Sequence, residues 1–158
     1  METVLNATNG IFSRRIVVTR YEEVENLCRK KGIEVIRHDL PDKSDTVCLG
    51  VEAMEGMDGC MFCSADQPLL RSDTVKALAL CAVSDPDHIW RVASGEKSGS
   101  PVFFPKRYFP ELQDLSEGQG GTALIKRFPE EVRFLSVSDP FELSDVDTPE
   151  DLIELEKR

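Results

Sequence analysis

The chain has 158 residues, 41% of them apolar, which suits one domain around one core. Its formal charge of -10 opposes nucleic-acid phosphates and excludes non-specific nucleic-acid binding. It still allows a nucleotide to be handled through a metal ion that supplies the missing positive charge. No apolar run approaches the roughly 18 residues of a membrane span. Glu2, Thr3 and Asn6 interrupt any leader-like segment, so no membrane or export role is expected. Cys28, Cys48, Cys60, Cys63 and Cys81 are odd in number and scattered, as in a cytoplasmic chain with reduced thiols.

Residues 1–12 show no clear period. The β-branched run at 15–19 reads as a strand. Residues 21–30 follow with helical spacing, Val24, Leu27 and Cys28 sharing a face, acids early and bases late. Gly32 ends that helix, and 33–36 is the next strand. This β-α-β order predicts parallel pairing with a right-handed crossover. A polar loop at 41–45 leads to a helix over 46–54, capped by Ser44 or Asp45. Such a helix start can take an anion or can simply be capped.

Residues 59–63 carry no charge and read as a strand buried on both faces. Cys60 and Cys63 have CxxC spacing, but residues three apart on a strand face opposite ways, so both are read as buried small side chains. Pro68 cannot join a ladder, which puts Asp66 at the carboxyl end of the strand. Ligands of open α/β sheets bind at that end. An acid there can hold Mg²⁺ together with ligand phosphates; the alternative is a plain loop acid ahead of a helix over 72–83 capped by Ser72 or Asp73.

The pattern then changes. Two strand-like runs, 89–93 and 101–104, flank a Gly/Ser turn and predict a hairpin. A short helical stretch at 108–114 precedes a glycine-rich loop, 115–122, which opens a helix over 123–127. The loop glycines either allow close backbone approach to a ligand or serve a plain surface loop. A strand follows at 132–137, and Thr148 and Pro149 start the last helix. Asp145 and Asp147 precede it, either complementing its dipole or giving the metal a second carboxylate.

Together, Ser64-Ala65-Asp66-Gln67-Pro68, Gly99-Ser100-Pro101, the loop from Gly118 to Thr122, and Asp145-Val146-Asp147-Thr148-Pro149 resemble the nucleotidyltransferases of the molybdenum cofactor. The closest likeness is to the MocA-like cytidylyltransferases, a branch of the MobA-like NTP transferases, from about Ile16 to the end. The resemblance implies one three-layer Rossmann-like α/β domain over 1–158, with a mostly parallel sheet. It implies transfer of CMP from CTP to molybdenum-molybdopterin, with release of pyrophosphate. Asp66 and Asp147 match the catalytic carboxylates that hold Mg²⁺. Ala65, Gln67, Gly99, Ser100, Pro101, Gly120 and Gly121 match substrate-side positions. A molybdenum hydroxylase is the implied recipient of the product.

Three departures qualify the likeness. Residues 1–13 hold neither the glycines nor the lysine of the family's first loop, so the first strand and the loop that wraps the triphosphate and reads the base are missing. Gly118 stands where many members carry an acid, and Thr122 where many carry an arginine. Either the chain is an N-terminally truncated piece or it has lost activity and is a non-catalytic molybdopterin-binding remnant. A guanylyl or sugar-phosphate nucleotidyltransferase is the alternative within the enzyme class. The absent strand should leave unpaired edges that favour self-association, unless residues 3–12 fill the gap.

Overall fold

Glu2–Ala7 forms a short helix, α1, where no period was expected. Six residues are too few for a periodic signal, yet Val4, Leu5 and Ala7 are buried, and the Thr8 hydroxyl donates to the Val4 carbonyl. Tertiary burial stabilises this helix where its length does not. Ile16–Thr19 (β1) and Glu34–Arg37 (β2) pair in parallel, Val17 opposite Val35. Between them runs α2 (Glu22–Lys30), its acids in the first turn and bases in the last. Gly32 closes it at φ +66°, a conformation that L side chains avoid.

Helix α3 spans Lys43–Ala53 and starts three residues before the expected point. Its cap is Asp42, not Ser44 or Asp45; Asp45 instead accepts from the Asp42 backbone N–H at 3.1 Å. Strand β3 is Gly59–Phe62 and α4 is Ser72–Ser84, with Arg71 in the cap position in place of Ser72 or Asp73. The expected hairpin is present: β4 (Ile89–Ser94) and β5 (Lys97–Pro105) pair antiparallel. β5 begins earlier than the sequence suggests, because the turn is confined to Gly95 and Glu96. Short helices α5 (Phe109–Gln113) and α6 (Thr122–Arg127) precede β6 (Val132–Ser136), and α7 (Pro149–Glu156) closes the chain. The computed structural model describes residues 1–156, with backbone alone at 152, 154 and 156.

Among the described residues the strands form two sheets. One is β1-β2; the other has the order β3-β5-β4-β6, in which β5 alone runs against the rest. Helices cover both faces. Val51 of α3, Leu112 of α5 and Leu124 of α6 pack with Ile89 and Phe104 on one side. On the other, Val4 and Ala7 of α1 pack with Leu70 and Val75, and Leu5 packs with Cys28 of α2. This is the expected three-layer α/β arrangement. Cys60 joins the first side and Cys63 the second, as their spacing on a strand requires. Residues 3–12 add no strand: among the described residues β1 pairs only with β2, and β3 only with β5.

Candidate active site

Three acidic residues, Asp66, Asp145 and Asp147, lie on two segments joined at the carboxyl end of β3. The segment after β6 is drawn there by three anchors. Leu143, at the end of a 3-10 turn (Pro140–Leu143), is buried with Leu78 and Val92. Glu142, 3% exposed, accepts from the Arg71 backbone N–H at 3.0 Å, which ties the turn to the start of α4. The Val146 N–H donates to the Asp66 carbonyl at 2.9 Å. Asp145 and Asp147 therefore flank the residue bonded to Asp66. All three acids are exposed to solvent.

The electrostatics follow from that geometry. The Asp145 carboxyl is held above the usual carboxylate range, first by partial burial and then by the negative charges of Asp66 and Asp147. Lys97 at the hairpin and a hydrogen bond with Gln67 pull the other way. An all-oxygen cluster of crowded acids fits a hard divalent cation. Among the described residues, no three His, Cys, Asp or Glu side chains converge closely enough to cage a metal by themselves. A cation held by Asp66 and Asp147 would complete its shell with phosphate and water oxygens, the usual habit of Mg²⁺.

The β3–β5 ladder ends at Phe62 opposite Val102, and beyond it Ser100 stays bonded to Ser64 and Gln67. The Ser100 hydroxyl accepts from the Ser64 N–H at 2.9 Å, and the Gln67 side-chain amide donates to the Ser100 carbonyl at 3.0 Å. Gln67 is 1% exposed, and its Oε1 is buried without a partner. Ser100 and Gln67 thus brace the Asp66 loop against the hairpin. Gly99 has open room: an added Cβ would lie 3.8 Å from Leu143 Cβ. Gly121 has none, since its Cβ would come within 2.9 Å of the Phe104 ring. Gly120 lies under the Lys43 side chain, where a Cβ would fall 2.8 Å from Cε. The glycine loop therefore meets the start of α3 and brings an ammonium group to it.

Sequence reasoning missed a second feature. Arg20 and Tyr21 after β1, with Arg37, His38 and Asp39 at the end of β2, line a polar cavity of about 490 Å³. It lies at the carboxyl ends of parallel strands, as Asp66 does. His38 Nε2 shares a hydrogen bond with Thr46 Oγ1 at 3.0 Å, while Nδ1 is buried without a partner. The available signal was basic residues directly after two strands. So basic residues stand at the ends of β1 and β2, and acidic ones follow β3.

Comparison with known proteins follows from this geometry. The MobA-like NTP transferase domain matches residues 1–132. No curated protein matches the chain. Among solved structures, Rv0371c from Mycobacterium tuberculosis aligns with a TM-score of 0.81 at 21% identity, over 98% of this chain and 84% of that one. A manganese complex of the same protein aligns at 0.70 and 20% identity, over 98% and 87%. A nucleotidyl transferase from Methanothermobacter thermautotroptrophicus aligns at 0.78 with 25% identity, over 99% and 76%. A CMP:2-keto-3-deoxy-manno-octonic acid synthetase complexed with CTP aligns at 0.76 with 14% identity, over 99% and 85%. No helix among the described residues is long and apolar enough to cross a membrane.

Proposed function

The chain belongs to the MobA-like NTP transferase domain family, and from that premise we propose that it transfers CMP from CTP to the terminal phosphate of molybdenum-molybdopterin. In this reaction an acceptor phosphate oxygen bonds to the α-phosphorus as the bond to the β-phosphate oxygen breaks, and pyrophosphate leaves. The observation that carries the reading is the bond from Val146 N–H to the Asp66 carbonyl, which gathers Asp66, Asp145 and Asp147. Asp66 and Asp147 are the proposed ligands of Mg²⁺, which when bound neutralises phosphate charge. The manganese complex of a structural neighbour supports a divalent cation in this fold, and the CTP complex of another supports the nucleotide.

The chain's own residues position and screen rather than attack. Such displacement needs orientation and charge neutralisation more than a protein nucleophile. Ala65, Gln67, Gly99, Ser100 and Pro101 form the floor beside the acids, and Ser100 fixes the loop. Arg20 after β1 and Lys43 over Gly120 carry positive charge that suits triphosphate oxygens, whereas Arg37 is paired with Glu25 at 3.2 Å. Cys60 and Cys63 take no part: burial pushes both thiols up to about 12, so neither is a thiolate at neutral pH. A molybdenum hydroxylase is the proposed recipient, in the cytoplasm.

One observation favours a second reading. Among the described residues no strand lies between β1 and β3, and the cleft there is open. On that reading the domain binds molybdopterin without transferring nucleotide. Calorimetry with CTP and MgCl₂ decides. Saturable binding that requires the metal supports transfer, and a parallel titration with GTP tests base choice. No heat at millimolar CTP removes the transfer reading for this chain.

A further inference from the structure

One buried side chain lies where three segments meet. Gln67 follows Asp66 and is 1% exposed. Its Nε2 donates to the Ser100 carbonyl of β5 at 3.0 Å, joining the Asp66 loop to the hairpin. The same amide hydrogen-bonds the Asp145 carboxyl. Asp145 adjoins Val146, whose N–H is tied to the Asp66 carbonyl at 2.9 Å. An ionised carboxylate and a carbonyl only accept, so the amide is the donor to both, and both its hydrogens are committed.

The other end of the amide is unattached. Oε1 is buried and has no hydrogen-bond partner among the described residues. An unpaired buried amide oxygen costs stability, and an apolar side chain of the same length would avoid that cost. Packing alone therefore does not account for a glutamine here, whereas its two donated bonds do. Asp145 is the acid that one of those bonds engages. It is near enough to Asp66 and Asp147 to feel both charges. Yet among the described residues no three His, Cys, Asp or Glu side chains converge as ligands. A carboxylate so close, and free to turn, would be drawn onto a cation held by the other two. Gln67 is not free to turn, being buried and bonded to β5.

We propose that Gln67 is a positioning residue whose amide holds the Asp145 carboxyl out of the cation's shell. The cation then has two protein ligands, Asp66 and Asp147, and its remaining positions are left to phosphate and water oxygens. A third carboxylate would tighten the bare cation by its charge, occupy a position that phosphate needs, and repel the triphosphate. Gln67 thereby lowers affinity for the bare cation and raises it for the nucleotide complex. This role rests on the reading of Asp66 and Asp147 as cation ligands, which the experiment tests separately.

Gln67→Met keeps the side chain's length and removes both donors and the orphan oxygen. Mn²⁺ binding without nucleotide is read from the EPR signal of the free ion, CTP binding at saturating Mn²⁺ by calorimetry, and folding by Tm. The variant should bind Mn²⁺ at least about threefold more tightly and CTP at least about tenfold more weakly. In an Asp145→Ala background the same substitution should shift each affinity by less than about twofold, because the group it releases is gone. Gln67→Asn, with an arm too short to span Ser100 and Asp145, should shift both affinities in the same directions, so the outcome does not hang on the folding of one variant. Weaker binding of Mn²⁺ and CTP together, with a lowered Tm, would make Gln67 a brace only and overturns the proposal. Unchanged affinities overturn it too, as do equal shifts in the Asp145→Ala background. Asp66→Ala tests the premise. If it binds Mn²⁺ like the parent, the cation site and this role both fall. If it loses Mn²⁺ while Gln67→Met matches the parent, only the role of Gln67 falls. Should the parent bind Mn²⁺ but no CTP, nucleotide transfer falls and the Mn²⁺ affinities alone decide Gln67.

Discussion

Asp66 is the residue on which the proposed chemistry turns, and it is exposed, so its removal should separate binding from stability. Asp66→Ala and Asp147→Ala should each weaken metal-dependent CTP binding about tenfold or more, roughly 1.4 kcal/mol, with little change in Tm; calorimetry beside melting checks both. A mutant that binds as tightly as the parent shows that acid is not a ligand. Asp145 behaves differently, because its carboxyl is raised by burial and by its two acidic neighbours. A carboxylate with a raised folded pKa binds protons more tightly folded than unfolded, so it costs stability above that folded pKa. The cost shrinks as pH falls through it and is gone below the unfolded value. Asp145→Asn should therefore raise Tm at pH 7, with a gain that fades on acidification toward pH 4; a pH-independent gain would refute the coupling. That the Asp66 loop and the segment carrying Asp145 and Asp147 lie together was legible in sequence, because a strand end and a helix start each leave a recognisable mark. The anchor Glu142 and the Arg20–His38 cavity were not, since their roles depend on which strands end side by side.

At the scale of elements, the glycine loop packs against β5 and β3, while the 3-10 turn holds the segment that carries Asp145 and Asp147. Gly121 abuts Phe104, a side chain 1% exposed that cannot swing away. Gly121→Ala should cost about 1–3 kcal/mol by overpacking, read as a lowered urea midpoint. Leu143, 2% exposed, pins the turn carrying Glu142 against Leu78 and Val92. Leu143→Ala should cost about 2–5 kcal/mol and also weaken metal-dependent CTP binding, because the acids behind it lose their anchor. Stability lost with affinity intact would show that Val146 and Asp66 alone fix the cluster. Most elements were legible from period and punctuation: α2 by its charge gradient, the hairpin by Gly95, α7 by Thr148, whose hydroxyl accepts from the Asp151 N–H at 3.2 Å. Helix α1 was hidden by its brevity. The caps of α3 and α4 shifted upstream because propensity marks several neighbouring residues, and tertiary contacts choose among them.

For the molecule as a whole, the interrupted middle layer sets how stability is distributed. The four-stranded sheet is held by two antiparallel pairings and one parallel pairing, and it carries the largest apolar cluster. The β1-β2 pair has only four paired positions and a cluster of three buried residues. Two-stranded parallel pairs are marginal alone, so α1, α2 and α3 must hold this one. Local opening should therefore be easier there than in β4 and β5, because less apolar surface and fewer ladder bonds resist it. Native-state hydrogen exchange should show amides of β1 and β2 exchanging at least about tenfold faster than the slowest amides of β4 and β5, a difference of roughly 1.4 kcal/mol in opening free energy. Equal protection across both sheets would mean that the helices alone weld them into one cooperative unit and that the break between β1 and β3 carries no energetic consequence.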